Sequence, residues 1–394
     1  MIKLLQRIKN IDLFGYFFIL KSMNINIQPY NQNFFHHWIE ISQSAIEHNA
    51  DQFTRWLGPD TQIAAVIKSN AYGHGLLEMA SLYQACNNIA ALCVINLSEA
   101  VMLRQHNILK PIFVIGYLDA PYDLIAQYNI EVILYDLTTA QQLHEIGKAH
   151  QTQIKVHIKF DTGMSRLGVQ ADQLHDLIHA IENLEWLKIT AIFTHLAQGY
   201  DEVRTQTQEK LFLDTLLPTY PTHISNSHGS LIAHQGTHNF ARIGIGLYGY
   251  LQKHTSEIQN KLKPVLSLKT KILQIKSVRA GSLIGYDGLF QASTDMKIAI
   301  LAIGYHEGLD ARLSNSGSVI INEQFAPIIG RVCMNLTIVD VSNITNCSVG
   351  QTVTLLGTEG NISISAYDWS KITQASAYNL LTKLSSFVPK IIIQ

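Results

Sequence analysis

Lys68 is the residue whose type and position most directly suggest covalent chemistry. It ends the apolar run QIAAVIK and is followed by SNAYGHG. A lysine at the end of a buried strand is partly desolvated, and nearby cations lower its pKa further, so its amine becomes a nucleophile that can form a Schiff base. Tyr72, Gly73 and Gly75 add a hydroxyl and a backbone that a phosphate could approach closely. The alternative is an ordinary lysine that extends into solvent above a glycine turn.

Eight apolar, β-branched runs alternate with amphipathic stretches between residue 62 and about residue 245. Near-continuous apolar runs of this kind are typical of parallel strands that helices cover on both faces. We therefore predict an α/β fold with an N-terminal (β/α)₈ TIM-like barrel. Ser98 and Thr138 precede helix-like stretches and fit the preferences of N-caps. The eight runs are QIAAVIK (62–68), IAALCVI (89–95), PIFVIG (111–116), EVILY (131–135), IKVHIKF (154–160), KITAIFTH (188–195), HISN (223–226) and ARIGIG (241–246).

After about residue 262 the pattern changes to strand-like runs separated by Gly, Asn or Asp, which predicts a mainly-β C-terminal domain. Only 366–386 remains as a long helical pattern. The predicted boundaries are an N-terminal extension at 1–35, the barrel at 36–262 and the β domain at 263–394. No low-complexity linker separates the last two, so we expect a packed junction.

Composition excludes several classes of protein. The chain has 394 residues, 47% hydrophobic and 15% charged, with a formal net charge of -1. Intrinsic disorder is excluded because ample apolar surface can be buried, and the balanced charge disfavours nucleic-acid and membrane partners. The four cysteines form no CxxC pair, which argues against a disulfide framework or a thiolate zinc site. The length of 394 residues fits a prediction of two domains.

The N-terminus contains an apolar run at 11–20 behind three basic residues, which superficially resembles a signal peptide. Asp12 interrupts the run, no small-residue cleavage site follows, and the run is about half the roughly 20 residues needed to span a bilayer. We interpret the first residues as a dispensable extension, with Met1 or Met23 as the true start. The expected location is the cytoplasm.

The active site of a (β/α)₈ barrel lies at the carboxyl ends of its strands. Many of the residues at the predicted strand ends are polar or cationic, so these side chains would lie together at one rim of an otherwise apolar barrel. That rim lacks clustered histidine and carboxylate ligands, so no metal is predicted and a metal hydrolase is the least favoured function. The rim residues are Lys68, Lys159, Asp161, Arg166, His195, Asn226, Ser227, Arg242 and Gly244.

The sequence VIKSNAYGHG resembles the pyridoxal-phosphate attachment motif of the alanine racemases, with Ser69 where the family usually has Ala or Gly. The resemblance extends from about Trp38 to Pro389. An ordered set of motifs is more specific than any single one. Those that match in order are KFDTGMSRLG (159–168), FTHLA (193–197), SNS (225–227), ARIGIGLYG (241–249), GYDG (285–288), IGYHEG (303–308) and GRVCMN (330–335).

The resemblance implies two proton carriers. Lys68 is similar to the lysine that forms the Schiff base with pyridoxal 5'-phosphate and moves one proton, and Tyr286 is similar to the base on the opposite face of the substrate. Racemisation needs bases on both faces, because one base that returns its proton to the same face changes nothing. A tyrosine pKa near 10 must be lowered for this role. In the family this tyrosine comes from the partner subunit, which implies a head-to-tail homodimer with shared active sites.

Arg242 resembles the arginine that faces the pyridine nitrogen of the cofactor. A guanidinium is effectively always protonated, so it donates to that nitrogen without leaving a proton on it. The ring then stays a weak electron sink, and a short-lived carbanion favours reprotonation at Cα over transamination. The alternative is an arginine at the barrel exit that pairs with a carboxylate.

The remaining assignments also follow from the resemblance. Arg166 is similar to the arginine that reaches the cofactor's phenolic oxygen and the substrate carboxylate, which the Met334 backbone also helps to hold. Lys159 aligns with a lysine that is carbamylated in many members, and a plain lysine beside Asp161 is the alternative. His195 resembles the histidine beside the cofactor ring, and the other histidines are interpreted as surface or satisfied core residues. The residues similar to the phosphate ligands are Tyr72, Ser227, Gly244, Ile245 and Tyr378.

The substrate entrance departs from the family pattern. Tyr305 resembles a residue at the narrow entrance, but His306 and Glu307 follow it where the family often has Ala and Asp. Asn335 stands where Asp is usual. These departures bear on substrate specificity more than on fold.

The expected function is racemisation of L-alanine to D-alanine for peptidoglycan. The nearest alternative is a broader amino-acid racemase of the same fold that acts on serine or other substrates. A decarboxylase on the same barrel would use an acidic partner at the pyridine nitrogen, which Arg242 disfavours. A non-catalytic carrier of pyridoxal phosphate, built from a similar barrel alone, is disfavoured by Tyr286 and the β domain.

Overall fold

The computed structural model describes residues 35–216, 220–232, 238–251 and 256–394. Residues His37–Gln394 form one compact unit. The predicted N-terminal extension lies outside the described residues apart from Phe35, and so does the choice of Met1 or Met23 as the start.

The first architectural element is a closed barrel of eight parallel strands, which confirms the predicted (β/α)₈ barrel. Its strands carry apolar side chains on both faces because neighbouring strands fill the interior and helices cover the outside. Their carboxyl ends therefore meet at one rim. The strands are β2 Gln62–Val66, β3 Ile89–Asn96, β4 Ile112–Tyr117, β5 Glu131–Leu134, β6 Ile154–Lys159, β7 Leu187–Phe193, β8 Thr222–His223 and β9 Phe240–Ile243.

Helices precede and connect these strands, and two of their N-caps differ from prediction. The Asn96 side chain accepts from the Glu99 amide at 3.0 Å, and the Asp136 side chain accepts from the Thr139 amide at 2.8 Å. The predicted caps Ser98 and Thr138 are wrong, because two good capping residues lie within three positions and the earlier one closes the first turn in each case. The helices are α1 Gln43–Leu57, α2 Leu76–Ala85, α3 Leu97–Gln105, α4 Asp123–Tyr128, α5 Leu137–His150, α6 Ala171–Glu182, α7 Glu202–Thr215 and α8 Ser256–Gln259.

The C-terminal part is a nine-stranded sheet, as the mainly-β prediction requires. Its strands are β1 His37–Ser42, β10 Leu266–Val278, β13 Met296–Leu301, β14 Ser318–Ile321, β15 Gln324–Pro327, β16 Thr337–Asp340, β17 Thr352–Glu359, β18 Ile362–Ile364 and β19 Lys390–Ile393. The central path runs β15-β14-β17-β10-β1-β19, with β13 joining β10 to β16 and β18 pairing with β17. All pairs are antiparallel except β1 with β19. A separate hairpin is formed by β11 Leu283–Ile284 and β12 Phe290–Gln291.

The first described strand, β1 His37–Ser42, belongs to this C-terminal sheet although it precedes the barrel in the chain. Ile39 pairs with Leu268 of β10 on one side and with Lys390 of β19 on the other. The chain therefore passes through the C-terminal sheet before it enters the barrel, and β1 connects the two regions.

The helical pattern at 366–386 is divided into two short helices, α9 Ala366–Thr373 and α10 Ala377–Thr382. Gln374 separates them with a left-handed φ of 57°. A Cβ placed on Gly73 would overlap the Leu381 carbonyl, so α10 packs directly on the segment that follows Lys68. Across the described ranges, no helix combines the length and apolarity needed to cross a bilayer.

Candidate active site

Lys68 follows β2 and opens a turn whose backbone is left-handed. The next four residues, Ser69 to Tyr72, have φ values between 51° and 57°. This conformation costs about 1–2 kcal/mol per L-residue because Cβ approaches the following carbonyl. Specific contacts must therefore hold the turn.

Two polar side chains supply those contacts, and the sequence interpretation missed both. The Glu99 carboxylate accepts from the amides of Ser69 at 2.8 Å and Ile95 at 3.0 Å. The Asn70 side-chain oxygen accepts from the Leu76 amide at 3.0 Å. Together they fix the backbone on both sides of Lys68 relative to β3 and α2.

The amine of Lys68 lies in a cationic, half-buried environment. Burial lowers the pKa of Lys68, Arg166 and Arg242 lower it further, and the carboxylate of Glu99 opposes the shift. The amine therefore loses its proton at a lower pH than an ordinary lysine, as its predicted role as a nucleophile requires.

Arg242, on β9, is only 3% exposed and its contacts are acceptors without formal charge. Nη1 donates to Nδ1 and the carbonyl of His223 at 2.7 and 2.8 Å. Nη2 donates to the carbonyls of Thr194 at 2.6 Å and Ile224 at 3.3 Å, and to Nδ1 of His195 at 3.2 Å. Burial lowers the pKa of Arg242 to about 10, so the guanidinium keeps its charge near neutral pH. In the described residues no carboxylate pairs with Arg242, which removes the alternative of a barrel-exit ion pair.

His195 is neutral, and its tautomer follows from its contact with Arg242. Burial lowers the pKa of His195 well below its usual value, and the charge of Arg242 adds to the effect. Because a guanidinium can only donate, Nδ1 of His195 accepts and its proton lies on Nε2. The imidazole therefore presents an N–H donor on the side away from Arg242.

Lys159 is 6% exposed, and its Nζ lies 4.6 Å from the centre of the Phe193 ring. Burial, Arg242 and Arg166 lower the pKa of Lys159 well below its usual value. Asp161 instead caps the following turn, where its carboxylate accepts from the amides of residues 163 to 166. Within the described residues Lys159 has no ion pair within 4.0 Å, so a buried amine without a carboxylate partner stands beside Arg166.

Ser227 organises the loop after β9. Its Oγ accepts from the amides of Gly244 at 3.0 Å and Gly246 at 3.1 Å. A Cβ on Gly244 would lie 2.5 Å from the Tyr72 hydroxyl, so the hydroxyl and this backbone approach closely. The Tyr378 ring lies 6.1 Å from the Tyr72 ring. The predicted phosphate residues thus converge, with Ile245 buried between the two glycines and Gly246 as an addition that the sequence interpretation missed.

Tyr286, Tyr305 and Met334 all lie on the C-terminal domain, apart from the barrel rim. They are 66%, 48% and 56% exposed, respectively. The Tyr305 amide donates to the Cys333 carbonyl at 3.0 Å, which places Tyr305 beside Met334. In the described part of the chain no hydrogen bond or ring contact joins this group to the barrel rim. One chain alone therefore holds the predicted residues in two groups.

The described residues contain no assembled metal site and no disulfide. No group of three or more His, Cys, Asp or Glu side chains is arranged to hold a metal ion there. All four cysteines are free thiols.

Comparison with known proteins assigns the family. The N-terminal domain of alanine racemase matches residues 41–252, and its C-terminal domain matches residues 265–392. An alanine racemase of Synechocystis is 32% identical over 371 residues, which cover 90% of this chain and 98% of the relative. The structure of a Clostridium difficile alanine racemase superposes with a TM-score of 0.84 at 29% identity over 91% of this chain and 96% of the other. A histidine racemase of Leuconostoc mesenteroides superposes with a TM-score of 0.83 at 28% identity over 93% of this chain and all of the other. The chain belongs to the alanine racemase family.

Proposed function

We propose that this protein interconverts L- and D-alanine with pyridoxal 5'-phosphate bound at the carboxyl rim of the barrel. The observation that carries the proposal is that the rim holds two basic residues with different properties. Lys68 has a lowered pKa and a fixed backbone, whereas Arg242 is a permanent cation held by neutral acceptors. A family member built for racemisation needs both.

The rim residues fit this cofactor. Lys68 would supply the amine for its aldehyde, and the hydroxyls of Tyr72, Tyr378 and Ser227, the amide of Ile245 and the backbone of Gly244 would surround its phosphate. The Gly244 amide itself donates to Ser227 Oγ. Gly244 leaves room that a Cβ would fill, beside the Tyr72 hydroxyl. When bound, the cofactor withdraws electrons from the substrate Cα and so makes its proton removable.

Arg242 controls which reaction follows. Its guanidinium would donate a hydrogen bond to the pyridine nitrogen and would retain its own proton. Because His223, His195 and three backbone carbonyls fix the guanidinium, it presents the same donor in every turnover. By leaving the ring nitrogen without a proton, Arg242 would favour return of the proton to Cα over transamination.

Two bases exchange the proton, with Lys68 on one face of the substrate and Tyr286 on the other. Tyr286 is 66% exposed and lies outside the barrel-rim group of its own chain. We therefore propose a head-to-tail homodimer in which Tyr286 of the partner subunit completes each site. The neutral Nε2–H of His195 would donate a hydrogen bond to the oxygen of the incoming phenol.

Arg166 and the backbone of the partner subunit's Met334 would bind the substrate carboxylate, and the partner subunit's Tyr305 would narrow the entrance. Lys159 is buried among cations without an ion-pair partner in the described residues, so a carbamate on its amine would supply the missing anion and orient Arg166. The product, D-alanine, would be used in peptidoglycan synthesis, and the proposed location of the enzyme is the cytoplasm.

A broader substrate range is the second candidate. A histidine racemase superposes on this chain as closely as alanine racemases do, so the fold alone does not set the side chain that is accepted. Comparing the turnover of L-alanine, L-serine, L-lysine and L-histidine decides between the two. Faster turnover of any of the last three would reject alanine as the main substrate.

The cofactor proposal is tested by the visible spectrum of the purified protein after incubation with pyridoxal phosphate. We expect an absorbance band of the lysine-bound cofactor that is lost in Lys68→Ala. Lys110→Ala is the control, since that half-buried lysine caps a helix end by bonding the carbonyls of Tyr83 and Cys86. A band that persists in Lys68→Ala, or release of carbon dioxide from any amino acid, would contradict the proposal.

A further inference from the structure

Arg242 stands at one end of a hydrogen-bonded chain that runs through the barrel interior. Its Nη1 lies 2.7 Å from His223 Nδ1, His223 Nε2 lies 2.9 Å from His157 Nδ1, and His157 Nε2 lies 3.0 Å from Glu131 Oε2. Four different strands, β9, β8, β6 and β5, supply one residue each. The two histidines are 0% and 3% exposed, so water does not compete for these bonds.

The direction of every bond follows from the permanent cation at one end. A guanidinium only donates, so His223 Nδ1 carries no proton and the proton of this ring lies on Nε2. His223 therefore donates to His157 Nδ1, which leaves the proton of His157 on Nε2, where it meets the Glu131 carboxylate. Both rings are neutral in this arrangement, and burial independently lowers the pKa of His223 well below its usual value.

Aromatic packing and further polar contacts hold the chain in place. The His223 ring stacks on Phe193 at 4.6 Å, and the His157 ring lies 4.5 Å from Phe113. At the far end, Thr190 Oγ1 donates to the same Glu131 oxygen at 3.1 Å. Lys155 Nζ lies 3.6 Å from the other Glu131 oxygen. Neither imidazole can turn without losing both packing and a buried hydrogen bond.

We propose that Glu131, His157 and His223 are positioning residues that fix the orientation of Arg242 through this relay. None of the three would touch the substrate or the cofactor. A carboxylate in direct contact with the guanidinium would also orient it, but would bring an acid close to the site of the ring nitrogen. The relay keeps the carboxylate two imidazole rings away. The proposal rests on the proposed function, because that function gives the orientation of Arg242 its purpose.

The first test uses cofactor-free protein and so does not depend on the proposed function. Nitrogen-15 NMR of labelled histidine reports the proton position on each ring, with His157→Phe and His223→Gln used to assign the two signals. We expect both rings to be neutral, protonated on Nε2 and unprotonated on Nδ1 at neutral pH. A cationic ring, or a ring protonated on Nδ1, would overturn the relay whatever the enzyme does.

The second test breaks the relay at its carboxylate end in the loaded enzyme. Glu131→Leu removes the acceptor of His157, whereas Glu131→Gln keeps an oxygen that can accept and removes only the charge. The readout is the number of pyruvate molecules released, with conversion of the cofactor to its amine form, per racemisation event. We expect this ratio to rise about tenfold in Glu131→Leu, as for the loss of one buried hydrogen bond, and to stay within about twofold of the wild type in Glu131→Gln.

A second buried pair of the same chemistry provides the matched control. Glu209 lies 3.2 Å from His238, both are buried, and among the described residues neither bonds Arg242. Glu209→Leu should destabilise the fold as Glu131→Leu does and leave the pyruvate ratio unchanged. If either substitution prevents folding, His157→Phe, which keeps an aromatic ring between Phe113 and Phe193, is compared with Glu209→Gln.

Two results would overturn the relay as a positioning device. One is an unchanged pyruvate ratio in both Glu131→Leu and His157→Phe. The other is an equal rise in the Glu209 control. A wild-type protein that binds no cofactor would instead contradict the proposed function while the histidine protonation pattern stands.

Discussion

Replacing Gly244 by alanine tests the close approach between the loop after β9 and Tyr72. The backbone φ of Gly244 lies outside the left-handed region, so the effect of the new methyl group is steric. Its Cβ would lie 2.5 Å from the Tyr72 hydroxyl and 3.2 Å from Cζ. Optimal non-bonded separations are about 3.5–4.0 Å, so the hydroxyl must move by about 1 Å. Tyr72 has little freedom to do so, because it is 9% exposed and its ring lies 5.0 Å from that of Tyr248. We expect a loss of about 2 kcal/mol in the free energy of unfolding, within the range for overpacked cores.

Urea unfolding of the cofactor-free protein measures this effect without any contribution from bound cofactor. Tyr72→Phe removes the clashing oxygen, so the double variant should recover at least about 1 kcal/mol of the loss as a coupling energy. Tyr378→Phe is the matched control, because it removes a nearby hydroxyl that does not meet the Gly244 Cβ. Wild-type stability of Gly244→Ala, or equal recovery with Tyr378→Phe, would refute the steric argument and with it the proposed phosphate cradle at this loop.

Three further predictions concern the base, a helix cap and the nucleophile. Tyr286→Phe should leave the free energy of unfolding of the monomer within about 0.5 kcal/mol, because the side chain is exposed, and should lower kcat for alanine by about 10²-fold or more; unchanged racemisation would count against the second base. Asp136→Ala should cost about 1 kcal/mol of stability in thermal unfolding and Thr138→Ala only a few tenths; the reverse order would restore the cap predicted from sequence. The rate of cofactor attachment should rise with pH through a midpoint below the ordinary lysine pKa, because only the neutral amine of Lys68 reacts, and Arg166→Gln should move that midpoint upward; a midpoint that does not move would remove Arg166 as a cause.

The barrel and the mainly-β character of the C-terminal domain could be predicted, because buried strands leave a strong pattern of apolar residues in the sequence. Runs such as QIAAVIK and IKVHIKF are apolar and β-branched, and parallel strands covered by helices require that composition. Once the strands are placed, their carboxyl ends determine the rim. Lys68, Arg166, His195, Ser227 and Arg242 then come together without further information, as the structure has them.

The left-handed turn after Lys68 could not be predicted from the sequence, because Ser69 and Ala71 have no intrinsic preference for it. The turn exists because Glu99 and Asn70 accept hydrogen bonds from its neighbouring amides, and these contacts form only after β3 and α2 are packed. The sheet to which β1 belongs could not be predicted for a similar reason. A single strand pattern does not specify which sheet it joins, and its partners lie more than 200 residues away in the chain.

The histidines mark another limit of sequence interpretation. The sequence interpretation assigns His157 and His223, with the other histidines, to surface or satisfied core positions, and the structure shows that these two are buried and hydrogen-bonded. What the sequence does not reveal is that each uses both ring nitrogens in a chain that ends on Arg242. The only sequence signal of this chain of hydrogen bonds is a polar residue within an apolar run, as in IKVHIKF. Whether such a residue points into the barrel can be inferred only when the alternation of inward and outward side chains along the strand is known.

The entrance departures can now be separated by their structural roles. Glu307 is 6% exposed, and its carboxylate accepts from the amide of Gly304 at 2.8 Å and from the side-chain amide of Asn335 at 2.7 Å. An aspartate at position 335 would place a second carboxylate against Glu307, whereas asparagine supplies the donor that this buried anion needs. Glu307 and Asn335 are therefore a mutually adjusted pair that anchors the segment carrying Met334. Since this pair satisfies itself, it gives no reason to expect a different substrate. His306, by contrast, is exposed beside Tyr305 and takes no part in this pair.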